Sequence, residues 1–358
     1  MSTAEKKKVR IAFIGAGGMG QAAHLRNYAS LTDECEVVAL AELRSETAKV
    51  VAARYGIPRV YRNHEELLAK EDVDALVASQ PYNRHGILIP ELAKKGVPIL
   101  SEKPIAGSIE AGEKIVQALE KNKTWHMVAY HKRSDPATIY AKAEIDRLKK
   151  SGELGPLRYV RVSIPEGDWI SGGFNDLIRS SETVEGLTFD PPPKDMDTDT
   201  AKSYDGFVNY YIHQVNLLRH LLGEEYKVTY AAKAGVIFAA ESKSGVPGLI
   251  ELSPYKQGWG WDESALATFE RGYVKLELPS PLAYNRAGSV KIYRGAHDAN
   301  GNPPALTEVA MPPVHAMRNQ ALNFIKAVRG EAPAPCLAPE ALQDLRIARD
   351  YILLRKGA

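Results

Sequence analysis

In the stretch "NYYIHQVNLLRH", residues 209–220, Asn209, His213, Asn216 and His220 recur at steps of four, three and four. Steps of that size place them on one face of a helix. Tyr211, Val215, Leu218 and Leu222 form an apolar stripe displaced by two positions, roughly 200° around the same helix. The polar stripe faces either water or a ligand, and in the second case its imidazole can take or give a proton near neutral pH. A second chemistry is written near the start of the chain. "IAFIGAGGMGQAAH" carries Gly15, Gly17 and Gly20 in G-x-G-x-x-G order, and Glu42 follows 22 residues past Gly20. Such glycines let the backbone approach a pyrophosphate, whose charge the next helix N-terminus favours, and a carboxylate at that distance accepts hydrogen bonds from ribose hydroxyls. A dinucleotide is the expected ligand. Glu42 repels a 2′-phosphate and so favours NAD; Arg44 could attract that phosphate, stack on adenine or face solvent, which keeps NADP open.

These groups need elements that bring strand ends together. Up to about residue 130, "VRIAFIG", "EVVALAE", "DALVAS", "VPILS" and "WHMVAY" read as buried parallel strands, being continuous rather than alternating. Between them "QAAHLRNYASL", "SETAKVVAARYG", "HEELLAK", "HGILIPELAKKG" and "SIEAGEKIVQALEKN" read as helices, several closed by Gly. That alternation predicts a doubly wound α/β sheet. It puts Lys103, in "SEKP", at the C-terminal end of the fifth strand, the edge where ligands sit.

After residue 150, "LRYVRVSIPE", "KVTYAAKAGVIFAAE", "GLIELSPY", "ALATFERGYVKLEL" and "SVKIYRG" read as strands of a larger, mostly antiparallel sheet. The expected domains are residues 1–130, binding the dinucleotide, and 131–358, an α+β substrate domain. The last helical stretch, "EALQDLRIARDYILLR", can pack on either. Residues 166–206 lack periodicity and are expected as a long loop, a kind that often carries function. Asp205, at the end of it, is a candidate N-cap.

A chain of 358 residues suits two cores, and 44% hydrophobic with 25% charged residues is a globular composition. The net charge of +2 and a single basic tail, Lys6 to Lys8, argue against nucleic acid. No apolar run approaches a membrane span, and "MSTAEKKK" leaves no room for a signal segment before the first strand. Cys35 and Cys336 lack metal-ligand spacing, so neither a metal nor a disulfide framework is expected, and the reducing cytoplasm is the expected compartment.

With "GAGGMG", Glu42, "QPYNRH", "EKP" at Glu102 to Pro104, "YHKRSDP" at Tyr130 to Pro136 and the His213 helix together, nearly the whole chain resembles the Gfo/Idh/MocA oxidoreductases. The resemblance implies a Rossmann domain followed by an open-faced sheet domain, homodimers or homotetramers formed through that sheet, and hydride transfer between nicotinamide and a sugar, polyol or related alcohol. It implies a cofactor site made by Gly15, Gly17, Gly18, Met19, Gly20, Glu42, Arg44, Gln80, Pro81, Asn83, His85, Glu102 and Lys103. Substrate contacts are expected from Asn209, Arg133, Tyr130 and Trp169. The family's substrate-helix motif, D-x-G-x-H-x-x-D, falls on Asn209, Tyr211, His213 and Asn216, so both acids are amides here and cannot take a proton. Lys132 could also bind substrate, and Trp259 and Trp261 could stack on a sugar or pack in a sheet or interface. His131 is a further candidate for the substrate, while His126 and His220 are expected to be structural.

For the proton, a lysine with a reference pKa of ~10.4 is deprotonated in about one molecule in a thousand near neutral pH, a cost of roughly 4 kcal/mol, whereas a histidine near ~6.5 is mostly neutral. His213 is therefore the expected general base and Lys103 the cation that steadies developing alkoxide, with the roles reversed if the nicotinamide charge depresses Lys103 far enough. Two other outcomes keep the cofactor but no net redox change: a glycosidase working by oxidation, elimination, hydration and re-reduction, and a sensor without turnover.

Overall fold

The computed structural model describes residues 7–295 and 303–357, so Lys6 of the basic tail lies outside the described residues. Two compact units result. The first contains residues 1–130 with 173–196 and 317–345; the second contains 131–172, 197–316 and 346–358.

In the first unit, β1 (Val9–Ile14), β2 (Cys35–Ala41), β3 (Arg59–Tyr61), β4 (Ala75–Ala78), β5 (Ile99–Ser101) and β6 (His126–Val128) form a sheet in the order β3-β2-β1-β4-β5-β6. All its pairs are parallel. This is the dinucleotide-binding order, with a switch point at β1 and β4. Apart from the edge strand β3, the strands are largely buried because helices cover both faces: Ile11, Phe13, Leu40, Val77 and Leu100 are fully enclosed. Phe13 meets Tyr28 edge to face at 5.3 Å. A π-helical segment (Gly20–Leu25) runs into α1 (Arg26–Ala29), followed by α2 (Ser45–Tyr55), α3 (His64–Lys70), α4 (His85–Ala93) and α5 (Ile109–Lys121).

In the second unit, α6 (Pro136–Ser151), β7 (Leu157–Glu166), α7 (Thr198–Leu222), β8 (Tyr226–Ala231), β9 (Ile237–Ser242), β10 (Pro247–Lys256), β11 (Glu263–Phe269), β12 (Gly272–Leu278), β13 (Ser289–Arg294) and β14 (Ala305–Val309) follow one another. The eight strands lie in the order β14-β13-β12-β11-β7-β10-β9-β8, antiparallel except for β7 with β10. Alternation along them buries Val160, Val162, Ala265, Ala267, Val274, Leu276, Val290 and Ile292 on the face that α6 and α7 cover. On the other face Tyr159, Thr268, Tyr273, Tyr293 and Leu306 stand in one cross-strand row. The chain ends in α8 (Ala316–Val328) and α9 (Ala338–Lys356).

The fold is thus α/β, a Rossmann-type parallel sheet with a second, mostly antiparallel α+β unit. Four local expectations change. The irregular stretch ends at 197, because Asp197 caps α7 by accepting from the Thr200 N–H at 2.7 Å. Asp205 therefore lies inside the helix, exposed, and is not its N-cap. "KVTYAAKAGVIFAAE" turns at Gly235 (φ +76°) into β8 and β9, and "ALATFERGYVKLEL" folds back as the β11–β12 hairpin.

Candidate active site

The glycine turn follows β1 directly. At Gly15, with φ of +95°, a Cβ would sit 2.4 Å from the Ser79 carbonyl oxygen, so only glycine fits. At Gly20 a Cβ would come within 3.0 Å of the Gly15 carbonyl, while at Gly17 it would meet nothing within 4 Å. The turn is closed towards the sheet and open outward, the form a dinucleotide cradle needs. Gly18 and Met19 are half-buried.

Glu42 follows β2 directly, with its carboxylate buried. It accepts from the Ala16 N–H at 2.8 Å and from Arg44 Nε at 2.8 Å and Nη2 at 3.0 Å. Burial opposes the charge, but these donors outweigh it and hold the carboxyl below its ordinary range. Glu42, Arg62, His64, Gln80 and Arg84 help to line a cavity of about 250 Å³ at this edge. These groups fit a dinucleotide.

Gln80 lies against Gly15, and Pro81 and Asn83 are exposed. His85 is fully buried, with Nδ1 3.1 Å from the Ile105 carbonyl, and burial pushes its pKa down. Its ring lies inside the unit, beneath the surface on which Pro81 and Asn83 stand.

Lys103 follows β5, half-buried, and its peptide to Pro104 is cis. Its N–H donates to Glu102 Oε2 at 3.2 Å, and Glu102 Oε1 lies 2.7 Å from His24 Nε2. Desolvation works against the Glu102 charge, yet the His24 bond and the Lys103 ammonium keep its carboxyl low. His24 sits on the π-helical segment that the glycine turn opens. The chain is thereby cross-braced from dinucleotide turn to Lys103. Sequence reading missed His24, though a histidine among the apolar residues of "QAAHL" was a signal.

In the second unit, the turn 131–134 docks on α7. The His131 and His213 rings meet edge to face at 4.6 Å, and Arg133 Nε donates to Asn216 Oδ1 at 2.6 Å. Beside them Lys132 Nζ bonds Glu263 Oε2 at 2.6 Å while Gln214 Nε2 donates to Oε1 at 2.6 Å. The polar stripe is thus no uniform solvated face: Asn216 is buried, His213 and His220 half-buried, and only Asn209 exposed. Val215, Leu218 and Leu222 are fully buried, as the apolar stripe requires, with Tyr211 half-buried. His220 is pushed down to about 3 by burial and by Arg133, Lys142 and Arg219. In the first unit, burial and His85 likewise lower His126 to about 3, and its Nε2 lies 2.8 Å from Ser101 Oγ. Trp169 is half-buried, Trp259 is 98% exposed and Tyr130, in the first unit, is buried.

The segment 173–196 belongs to the first unit and runs across the glycine turn, with Phe174 and Leu177 within 4 Å of where a Gly18 Cβ would lie. Gln21 bonds the backbone of Ile178 on both sides, accepting from its N–H at 2.9 Å and donating to its carbonyl at 3.0 Å. Nothing periodic in the sequence signals this contact.

Residues 9–130 match the model of an oxidoreductase family with an NAD-binding Rossmann fold. An inositol 2-dehydrogenase of Acidothermus cellulolyticus is 31% identical over 299 residues, covering 80% of this chain and 77% of its own. One of Rhizobium meliloti is 26% identical over 357 residues, covering 95% and 96%. The WlbA dehydrogenase of Bordetella pertussis, solved with NADH and UDP-GlcNAcA, superposes with a TM-score of 0.70 at 21% identity over 98% of both chains, a likeness of fold.

Proposed function

Because this chain belongs to the Gfo/Idh/MocA family of NAD-binding oxidoreductases, we propose that it is a dehydrogenase moving a hydride between nicotinamide and a hydroxyl of a sugar, polyol or sugar derivative. The observation that carries this reading is the brace from the glycine turn through His24 and Glu102 to the backbone of Lys103. It fixes a cation at the strand edge of the unit that holds the cofactor. The inositol dehydrogenases among its relatives support a polyol or sugar as the alcohol.

The cofactor supplies the hydride acceptor; the chain supplies the rest. Gly15, Gly17, Gly18, Met19 and Gly20 bring backbone to the pyrophosphate, and Glu42 accepts from the ribose. Gln80, Pro81, Asn83 and His85 shape the strand edge beside them. Lys103 is assigned to hold the alcohol oxygen and steady the charge that develops there, and His213 to take the proton. The His131 ring and the Arg133–Asn216 bond fix the 131–134 turn on α7, so His213 works from a held position. Asn209, Arg133, Tyr130 and Trp169 are assigned to substrate hydroxyls and ring faces. The protein works in the cytoplasm, where Cys35 and Cys336, both buried, stay thiols. It assembles with copies of itself through the outer face of the eight-stranded sheet.

The test is the near-ultraviolet absorbance of reduced nicotinamide after mixing protein, excess NAD and a panel of free sugars, polyols and glycosides. Steady accumulation with one compound is expected, falling about 100-fold or more in His213→Gln. Release of a leaving group without accumulation identifies the redox-neutral glycosidase instead, and cofactor binding with neither product identifies a sensor.

A further inference from the structure

Glu182, in the irregular segment 173–196, reaches the start of α2 in the first unit. Its Oε1 accepts from the Ser45 N–H at 3.0 Å and the Ser45 hydroxyl at 2.9 Å. Its Oε2 accepts from the Glu46 N–H at 2.9 Å, the Thr47 N–H at 3.4 Å and the Ser180 hydroxyl at 3.0 Å. Desolvation works against this carboxylate's charge, but those donors hold its pKa low. The Ser180 hydroxyl is itself 2.8 Å from that of Thr47. The segment is not loosely laid: Gln21 grips Ile178, Asp190 accepts from the Gly86 N–H at 2.8 Å, and Arg84 Nε donates to the Thr188 carbonyl at 3.0 Å.

The position matters because α2 starts three residues after Glu42. A dinucleotide whose ribose Glu42 holds presents its 2′-oxygen to the stretch that joins β2 to α2. A 2′-phosphate there needs cationic or N–H donors, and those of Arg44 and of the first turn of α2 are already taken by carboxylates. Arg44 is bound by Glu42 through its side-chain Nε and Nη2 and through its backbone N–H, and also feels the charge of Glu182. The first N–H groups of α2 are bound by Glu182. Arg62 and Arg84 line the neighbouring cavity, and Arg84 is engaged by the same segment.

We propose that Glu182 is a specificity-determining residue that excludes NADP(H): it places a second negative charge beside Glu42 and occupies the donors a 2′-phosphate would use. NAD(H), with a hydroxyl at that carbon, meets no such repulsion. Selectivity here works against the wrong ligand rather than for the right one. The inference rests on the assignment of a nicotinamide dinucleotide to the first unit.

The test uses the full-length protein and the dissociation constants of NADH and NADPH, read from nicotinamide fluorescence at low and high salt. Glu182→Gln keeps the shape and one acceptor oxygen but removes the charge. It is expected to tighten NADPH at least about fivefold at low salt while NADH changes less than about twofold, with the gain shrinking as salt screens the site. Glu182→Ser, which also frees the α2 donors, is expected to tighten NADPH further. If Glu182 only caps α2, both variants melt at lower temperature while the NADPH to NADH ratio stays put, and the proposal fails. Wild-type protein that already binds both dinucleotides equally overturns it as well. Wild type that binds neither overturns the cofactor assignment, and this inference with it.

Discussion

At the scale of single residues, the most exacting arrangement is the buried Lys132–Glu263 pair with Gln214 on the second carboxylate oxygen. The two charged side chains are 5% and 0% exposed, so neither has water as an alternative partner. Removing one leaves the other charge without compensation, at a cost of about 3–5 kcal/mol, whereas replacing both with apolar groups of like volume is often nearly neutral. Lys132→Met is therefore expected to lower unfolding stability by about that amount, and Lys132→Met with Glu263→Met to recover most of it in urea titrations. A double variant as unstable as the single one would mean that the pair does more than balance charge. The structure turns Glu263 inward on β11, in alternation with Ala265, Ala267 and Phe269. Nothing in the sequence hints that Lys132, 131 positions away, supplies the partner.

At the scale of elements, the helix that bears His213 was legible from Asn209 to His220, because its polar and apolar stripes repeat with helical period. Its first turns were not. "DMDTDTAKSYDG" offers several carboxylates that could cap, and Gly206 interrupts the pattern at a cost of ~1 kcal/mol. The structure selects Asp197. Asp197→Ala is expected to lower the melting temperature by a few degrees, and Asp197→Asn and Asp205→Ala by much less. Calorimetry on the three variants checks this; equal losses at 197 and 205 would put the cap in doubt.

At the scale of the whole molecule, the outer face of the eight-stranded sheet carries Tyr159 (37% exposed), Tyr293 (37%) and Leu306 (58%) in one row with Tyr273. Aromatic and aliphatic side chains held in register on one face suit association with a second copy. If copies associate through this face as proposed, wild type runs as an oligomer and Tyr159→Lys with Tyr293→Lys as a monomer by light scattering after gel filtration, with the melting temperature as control. A monomeric wild type, or an oligomer of unchanged mass in the variant, would overturn this interface. No described helix is long and apolar enough to cross a membrane.

Strand and helix periodicity, the glycine spacing and Glu42 were sufficient in the sequence for the doubly wound unit, its dinucleotide and the change to a second sheet, since each depends on neighbours a few residues apart. What tertiary structure alone decided are pairings across long separations: His24 with Glu102, Lys132 with Glu263, and Glu182 with the start of α2. Each is a polar group satisfied by a partner that no local pattern names. Residues 173–196 are the clearest case. They lack periodicity because their backbone is shaped by contacts with the first unit, so their place beside the nucleotide turn had to come from the folded chain.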